Sequence, residues 1–98
     1  MHQTAKAIVI HEKDTVATAL EPLYAGSEIS IAIQNHTEKI KLVDEIPAGH
    51  KFALMDMEIG TDVIKYGESI GQSTSKIARG EHVHRHNVTS RTKQGSGQ

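Results

Sequence analysis

Three histidines alternate in the segment Glu81-His82-Val83-His84-Arg85-His86-Asn87, and imidazole serves both metal ligation and proton transfer near neutral pH. On an extended strand His82, His84 and His86 share one face, while Val83 and Arg85 point to the other. The pattern admits a metal site or an acid/base pair, and equally three solvated histidines on an exposed strand. His50 follows Gly49 in Ile46-Pro47-Ala48-Gly49-His50-Lys51, a position that by itself reads as surface. Lys51 and Lys65 carry ammonium groups able to recognise a carboxylate, or are simply solvated charges. Asn87 could orient a substrate hydroxyl or cap a turn. Asp56, Glu58 and Asp62 gather near Gly60 and read as an exposed turn, whereas His2, His11 and His36 follow no usable pattern. Glycine-rich phosphate loops, Ser-His-Asp arrangements and nucleotide fingerprints are absent.

The elements that must carry these residues are short. Ala7 to Ile10 is a β-branched apolar run that predicts a strand. Asp14 to Leu20 places Val16, Ala19 and Leu20 on one helical face behind a capping Asp14, which predicts a short helix ending before Pro22. Ile29 to Ile33 alternates strictly and Lys39 to Val43 repeats the pattern, so the two read as a hairpin around Asn35-His36-Thr37. A second helical turn is expected at Ser73 to Ile77.

One local regularity runs through the chain: an apolar residue, two residues, Gly, two residues, an apolar residue. It occurs at Leu23/Gly26/Ile29, Ile46/Gly49/Phe52, Met57/Gly60/Val63 and Ile77/Gly80/Val83. Glycine takes a positive φ at a tight turn without steric cost, so each copy reads as a turn that launches a strand. The uneven spacing of these glycines excludes a solenoid. The fold class expected is mostly β, compact, of short strands with one or two short helices. Residues 1–89 form one domain and 90–98 a polar Gly/Ser-rich tail expected to be disordered.

A 98-residue chain builds one modest core, burying about 60–65% of its unfolded surface. With two Tyr, one Phe and no Trp, aliphatic side chains must supply most of that burial. Eleven basic and twelve acidic residues give a formal charge of −1, and no segment collects the Lys/Arg density that nucleic acid demands. The absence of cysteine excludes disulfides and thiolate metal sites. Apolar runs fall far short of the roughly 20 residues that span a bilayer, and no signal-peptide pattern opens the chain, so a cytoplasmic location is expected.

Three motifs in order carry a resemblance to a known family: Ile46-Pro47-Ala48-Gly49-His50-Lys51-Phe52-Ala53-Leu54, Val63-Ile64-Lys65-Tyr66-Gly67-Glu68-Ser69-Ile70-Gly71, and Gly80 to Asn87. From about Ala7 to Val88, including Asp14-Thr15-Val16-Ala17, the chain resembles the SAF domain of altronate/galactarate dehydratases. In that family the domain is the N-terminal part of a sugar-acid dehydratase or a separate small subunit, as in the alpha subunit of sulfolactate sulfo-lyase.

The resemblance implies a β-clip fold and a lyase that removes water, or sulfite, from a 2-hydroxy acid with a divalent metal, commonly iron(II). Carried over by motif position, it implies His50, His84 and His86 as catalytic, His84 and His86 as metal ligands, and Lys65 and Asn87 as substrate-binding. His82 receives less weight than its neighbours. A chain this short cannot enclose a sugar acid and supply a whole active site, so a large dehydratase-like subunit is the expected partner, with little activity alone. Self-association through exposed β edges is a further expectation. The competing reading is a non-catalytic module that binds a sugar acid or stabilises the large subunit.

Overall fold

In the computed structural model, which describes residues 5–33 and 35–90, the chain forms nine short strands. They are β1 (Ala7–Ile8), β2 (Val16–Ala19), β3 (Glu28–Ile33), β4 (His36–Lys41), β5 (Lys51–Ala53), β6 (Asp62–Lys65), β7 (Glu68–Ser73), β8 (His82–Val83) and β9 (Val88–Ser90). Three antiparallel sheets result: β1-β2-β5-β8, the hairpin β3-β4, and β6-β7-β9. The mostly β expectation holds. The tail at residues 91–98 lies outside the described residues, and β9 runs through Ser90.

The two expected helices are absent among the described residues. Val16–Ala19 is instead a strand, pairing Val16 with Ala53 and Ala17 with Phe52. Both faces of this strand are buried, so an apolar run that suited one helical face serves equally as a central strand. Asp14 caps no helix. Its carboxylate accepts the backbone N–H groups of His11 (3.0 Å) and Gly67 (2.9 Å), tying the β2 approach to the β6–β7 turn. Ser73 closes β7, and Ile77 forms an isolated bridge with Met57 in place of a helical turn. The β3–β4 hairpin forms as expected, with β4 starting earlier, at His36.

The four glycine motifs are the frame. In each, the residue three before the turn's last residue accepts a backbone bond from it: Ser27 to Tyr24, His50 to Pro47, Thr61 to Glu58 and Glu81 to Ala78. Gly26, Gly49, Gly60 and Gly80 occupy the third position with φ of 85°, 84°, 85° and 88°, as a type II turn requires. The turns then pair by reciprocal backbone bonds, Leu23 with Ile46 and Met57 with Ile77. Further bonds repeat in step. Gly26 N–H reaches Leu42 and Gly60 N–H reaches Ser73, while Gly49 N–H reaches Ala19 and Gly80 N–H reaches Ala53. The chain is thus two copies of one unit, each a long hairpin pinched at its base by two turns. Local spacing shows the turns, but only their pairing shows the duplication.

The four-stranded sheet separates two apolar clusters. Ala17, Ala19 and Phe52 pack with Leu23, Ile29, Ile31, Ile40, Leu42 and Ile46 on one side. Val16, Ala53 and Val83 pack with Met57, Val63 and Ile77 on the other. Motif positions Leu23, Ile29, Ile46, Phe52, Met57, Val63, Ile77 and Val83 are all buried.

A candidate histidine centre at the end of the central sheet

His50 closes the turn at Gly49 of the first unit, and His82 is the residue after the equivalent turn at Gly80 of the second. Because β5 and β8 pair antiparallel, with Lys51 opposite Val83 and Phe52 opposite His82, carrying the register one pair further sets His50 across from His84. Directly opposite residues share a face. The rings of His50 and His84 stack at 4.3 Å between centroids and 14° between planes. His82 stacks on both, at 5.1 Å from His50 and 5.5 Å from His84. The nitrogens His50 Nδ1 and His82 Nε2 are 2.9 Å apart, a hydrogen bond in which one ring donates and the other accepts. One ligating nitrogen from each of His50, His82 and His84 lies within 4.8 Å of the others.

The expected extended strand through His86 does not continue. β8 ends at Val83, and the chain turns back over His84-Arg85-His86-Asn87, with Asn87 N–H donating to the His84 carbonyl at 3.1 Å. Asn87 causes this turn: its Oδ1 accepts the His84 N–H at 3.0 Å and its Nδ2 donates to the His82 carbonyl at 2.9 Å. These local side-chain bonds compete with the strand ladder and win. His86 consequently approaches His82 alone among the three, tilted by 35° at 5.2 Å. Asn87, for which the resemblance implied substrate contact, is 2% exposed with its amide committed to the backbone of two histidines.

The other backbone anchors are equally specific. His82 N–H donates to Asp44 Oδ2 at 2.9 Å, and Val43 N–H donates to the Gly80 carbonyl at 2.9 Å. A side chain at Gly80 would collide with the Lys41 carbonyl, so the β4 exit and the β8 approach are pressed together at a glycine.

Electrostatics favour neutral rings. Partial burial holds His82 below its ordinary 6.5, helped by His50, His86 and His84 and opposed by Asp44. His84 is also lowered, by desolvation first and then by His50, Lys51, Arg85 and His86. Neutral imidazoles present lone pairs, the form a metal ion takes.

Lys65 does not join the cluster. Strand alternation puts Lys51 on the face of β5 opposite His50, and there Lys65 adds to the burial that lowers the Lys51 ammonium pKa. Lys65 Nζ sits 4.8 Å above the exposed Tyr66 ring. Tyr66 itself has φ 60°, in the left-handed region, at the first position of a two-residue hairpin turn completed by Gly67. A surface groove of about 760 Å3 between β1 and β3, lined by Ala7, Val9, Ile29 and Ala32, includes none of the histidines. The structure brings His82 against both His50 and His84 and leaves His50 half-buried. The signal that would have joined His50 to His82 is the shared turn motif that each closes or follows.

A small, duplicated, all-strand domain that gathers histidines at the end of its central sheet defines the class. The family model of the altronate/galactarate dehydratase SAF domain matches residues 5–91, and the chain belongs to that family. It is 48% identical over 81 residues to altronate dehydratase of Escherichia coli K12, covering 83% of this chain but 16% of that protein. It is 37% identical over 84 residues to the (2R)-sulfolactate sulfo-lyase subunit alpha of Chromohalobacter salexigens, covering 82% of this chain and 89% of that subunit. Galactarate dehydratase (L-threo-forming) of Escherichia coli K12 is 34% identical over 82 residues, covering 14% of its length. The chain therefore spans about one-sixth of the dehydratases it matches and most of the sulfo-lyase subunit. No helix among the described residues is long and apolar enough to cross a membrane.

Proposed function

We propose that this chain is the small component of a carbon–oxygen or carbon–sulfur lyase that acts on a 2-hydroxy acid, placing its histidine centre in an active site completed by a large dehydratase-type subunit. The observation that carries the proposal is the convergence of His50, His82 and His84 at one end of the paired β5 and β8, in a domain whose relatives include a sulfo-lyase subunit alpha matched over most of its length. Elimination from a 2-hydroxy acid needs a base for the proton α to the carboxylate and an acid for the departing group. A neutral imidazole outside the metal's coordination set, such as His86, can take that proton, and the large subunit would supply the acid for the departing group. The divalent metal that the family resemblance implies, commonly iron(II), fits the imidazole donors of this centre, and when bound it would polarise the carboxylate and stabilise enediolate charge.

Asn87 acts as a positioning residue that fixes the His82 and His84 backbone. Lys51, on the other face of β5, and Lys65, at the end of β6, raise the local positive potential that draws an anionic acid towards the domain. Exposed Leu20, Tyr24, Val43, Met55 and Ile59 supply apolar surface that a large subunit would cover. We place the complex in the cytoplasm, where sugar-acid catabolism is expected.

The test is co-expression with a large dehydratase-type subunit and assay of the complex, loaded with iron(II), for loss of water or sulfite from a panel of 2-hydroxy acids. Activity should require both chains and fall at least a hundredfold in His84→Ala and His50→Ala. Full activity in both variants would reduce this chain to a binding or structural module.

A further inference from the structure

The family resemblance points to His84 and His86 as the metal pair. The geometry points elsewhere. We infer that His50, His82 and His84 form a three-histidine divalent-metal site that belongs to this chain alone, with His86 outside the coordination set and at least one position open to an anionic ligand. The inference refines the metal assignment of the lyase reading, and it holds for the isolated chain whatever the partner does.

Four observations converge. The ligating nitrogens of these three residues all lie within 4.8 Å of one another. Metal–nitrogen bonds of about 2.0–2.1 Å place tetrahedral ligands ~3.3 Å apart, so closing on an ion asks for at most ~1.5 Å of nitrogen movement, with the stacked His50 and His84 rings tilting apart to point their lone pairs at it. His50 Nδ1 and His82 Nε2 already stand at 2.9 Å, so an ion replaces a shared proton between them. His82 lies in β8, His50 immediately precedes β5 and His84 immediately follows β8, so all three sit at one end of a backbone-paired strand pair that the Asn87 and Asp44 anchors also hold. The backbone positions of the three ligands are therefore fixed before the metal arrives, whereas the His86 ring meets His82 alone.

Donor chemistry sets the class of ion. Three imidazoles and no carboxylate or thiolate suit Zn(II), Fe(II), Co(II) or Ni(II) over Mg(II) and Ca(II), which require oxygen ligands. A neutral donor set leaves the bound ion with its full double charge. Its open position then favours a carboxylate or hydroxyl oxygen over a neutral ligand.

The experiment titrates the full-length isolated chain with Co(II), followed by its visible d–d absorption, and with Zn(II) in competition. One ion per chain with tetrahedral or five-coordinate Co(II) bands is expected. His50→Ala, His82→Ala and His84→Ala should each weaken binding at least tenfold, and His86→Ala and His36→Ala by less than threefold. Because His82→Ala perturbs a half-buried position, the wild-type chain loaded with Cu(II) gives a second count, by pulsed electron paramagnetic resonance of the coordinated imidazoles. Fewer than three imidazoles, Co(II) binding no tighter than millimolar, or a loss in His86→Ala equal to that in His50→Ala would overturn the site. Tight binding with no lyase activity in any complex would leave the metal site standing and remove the lyase reading. A histidine-dependent lyase whose small chain binds no Co(II) would do the reverse.

Discussion

Replacing Asn87 by alanine tests how the histidine centre is held. The side chain is 2% exposed. Its Oδ1 accepts from His84 N–H at 3.0 Å, and its Nδ2 donates to the His82 carbonyl at 2.9 Å, with a longer approach of 3.5 Å to Glu81 Oε2. Two well-formed bonds at about 1 kcal/mol each, with water reaching part of the freed His84 N–H and His82 carbonyl, give a loss of about 2–3 kcal/mol. For a domain of this length that lowers the melting temperature by roughly 10–20 °C. Urea unfolding should show the loss as a lower midpoint with an unchanged slope, since the surface exposed on unfolding stays the same. Asn87→Asp keeps the acceptor and removes both donors, and it sets a carboxylate beside Glu81 and the His82 carbonyl, so it should be no better than alanine. In either variant the turn over 84–87 loosens, and the imidazole signals of His82 and His84 should broaden or shift in the NMR spectrum while those of His11 and His36 stay put. A midpoint within about 0.3 kcal/mol of wild type would refute the anchoring role of Asn87, because solvent would then have replaced its bonds without cost.

Three further outcomes follow from the same geometry. Gly80→Ala combines a φ of 88° with a clash on the Lys41 carbonyl, whereas Gly26→Ala at φ 85° meets nothing within 4 Å; the first should cost more than 2 kcal/mol and the second about 1 kcal/mol, compared by urea midpoint. Tyr66→Asn at φ 60° relieves left-handed strain at an exposed turn and should raise stability by about 0.5–1 kcal/mol, with a loss arguing that the tyrosine ring is held by packing. His82 and His84 are both lowered below 6.5, so the unfolded chain binds more protons than the folded one once pH falls below that value. The metal-free protein should therefore hold its stability above pH 6.5 and lose it on acidification through and below 6.5. His82→Asn should flatten that slope in melting temperature against pH, and an unchanged slope would show that the acid sensitivity lies elsewhere.

The residues themselves determined that this would be a small strand-rich domain. Alternation in Ile29-Ser30-Ile31-Ala32-Ile33 and the four glycine motifs follow from local sterics, since a side chain is disfavoured in the positive-φ conformation each turn needs. The same local logic misread Val16–Ala19 as a helix, because burial on both faces removes the alternation by which a strand is usually told. The alternating histidines were visible, yet the strand they suggested stops at Val83, where Asn87 takes the His84 N–H that a ladder partner would otherwise hold. The pairing of β5 with β8 was decided in three dimensions. It brings His50 across 32 positions to His82, a contact between residues whose only common mark in the sequence is the glycine turn that each closes or follows. Register across non-adjacent strands depends on which apolar faces the two halves bury against each other. The centre therefore exists because two copies of one turn-and-strand unit meet edge to edge in the fold.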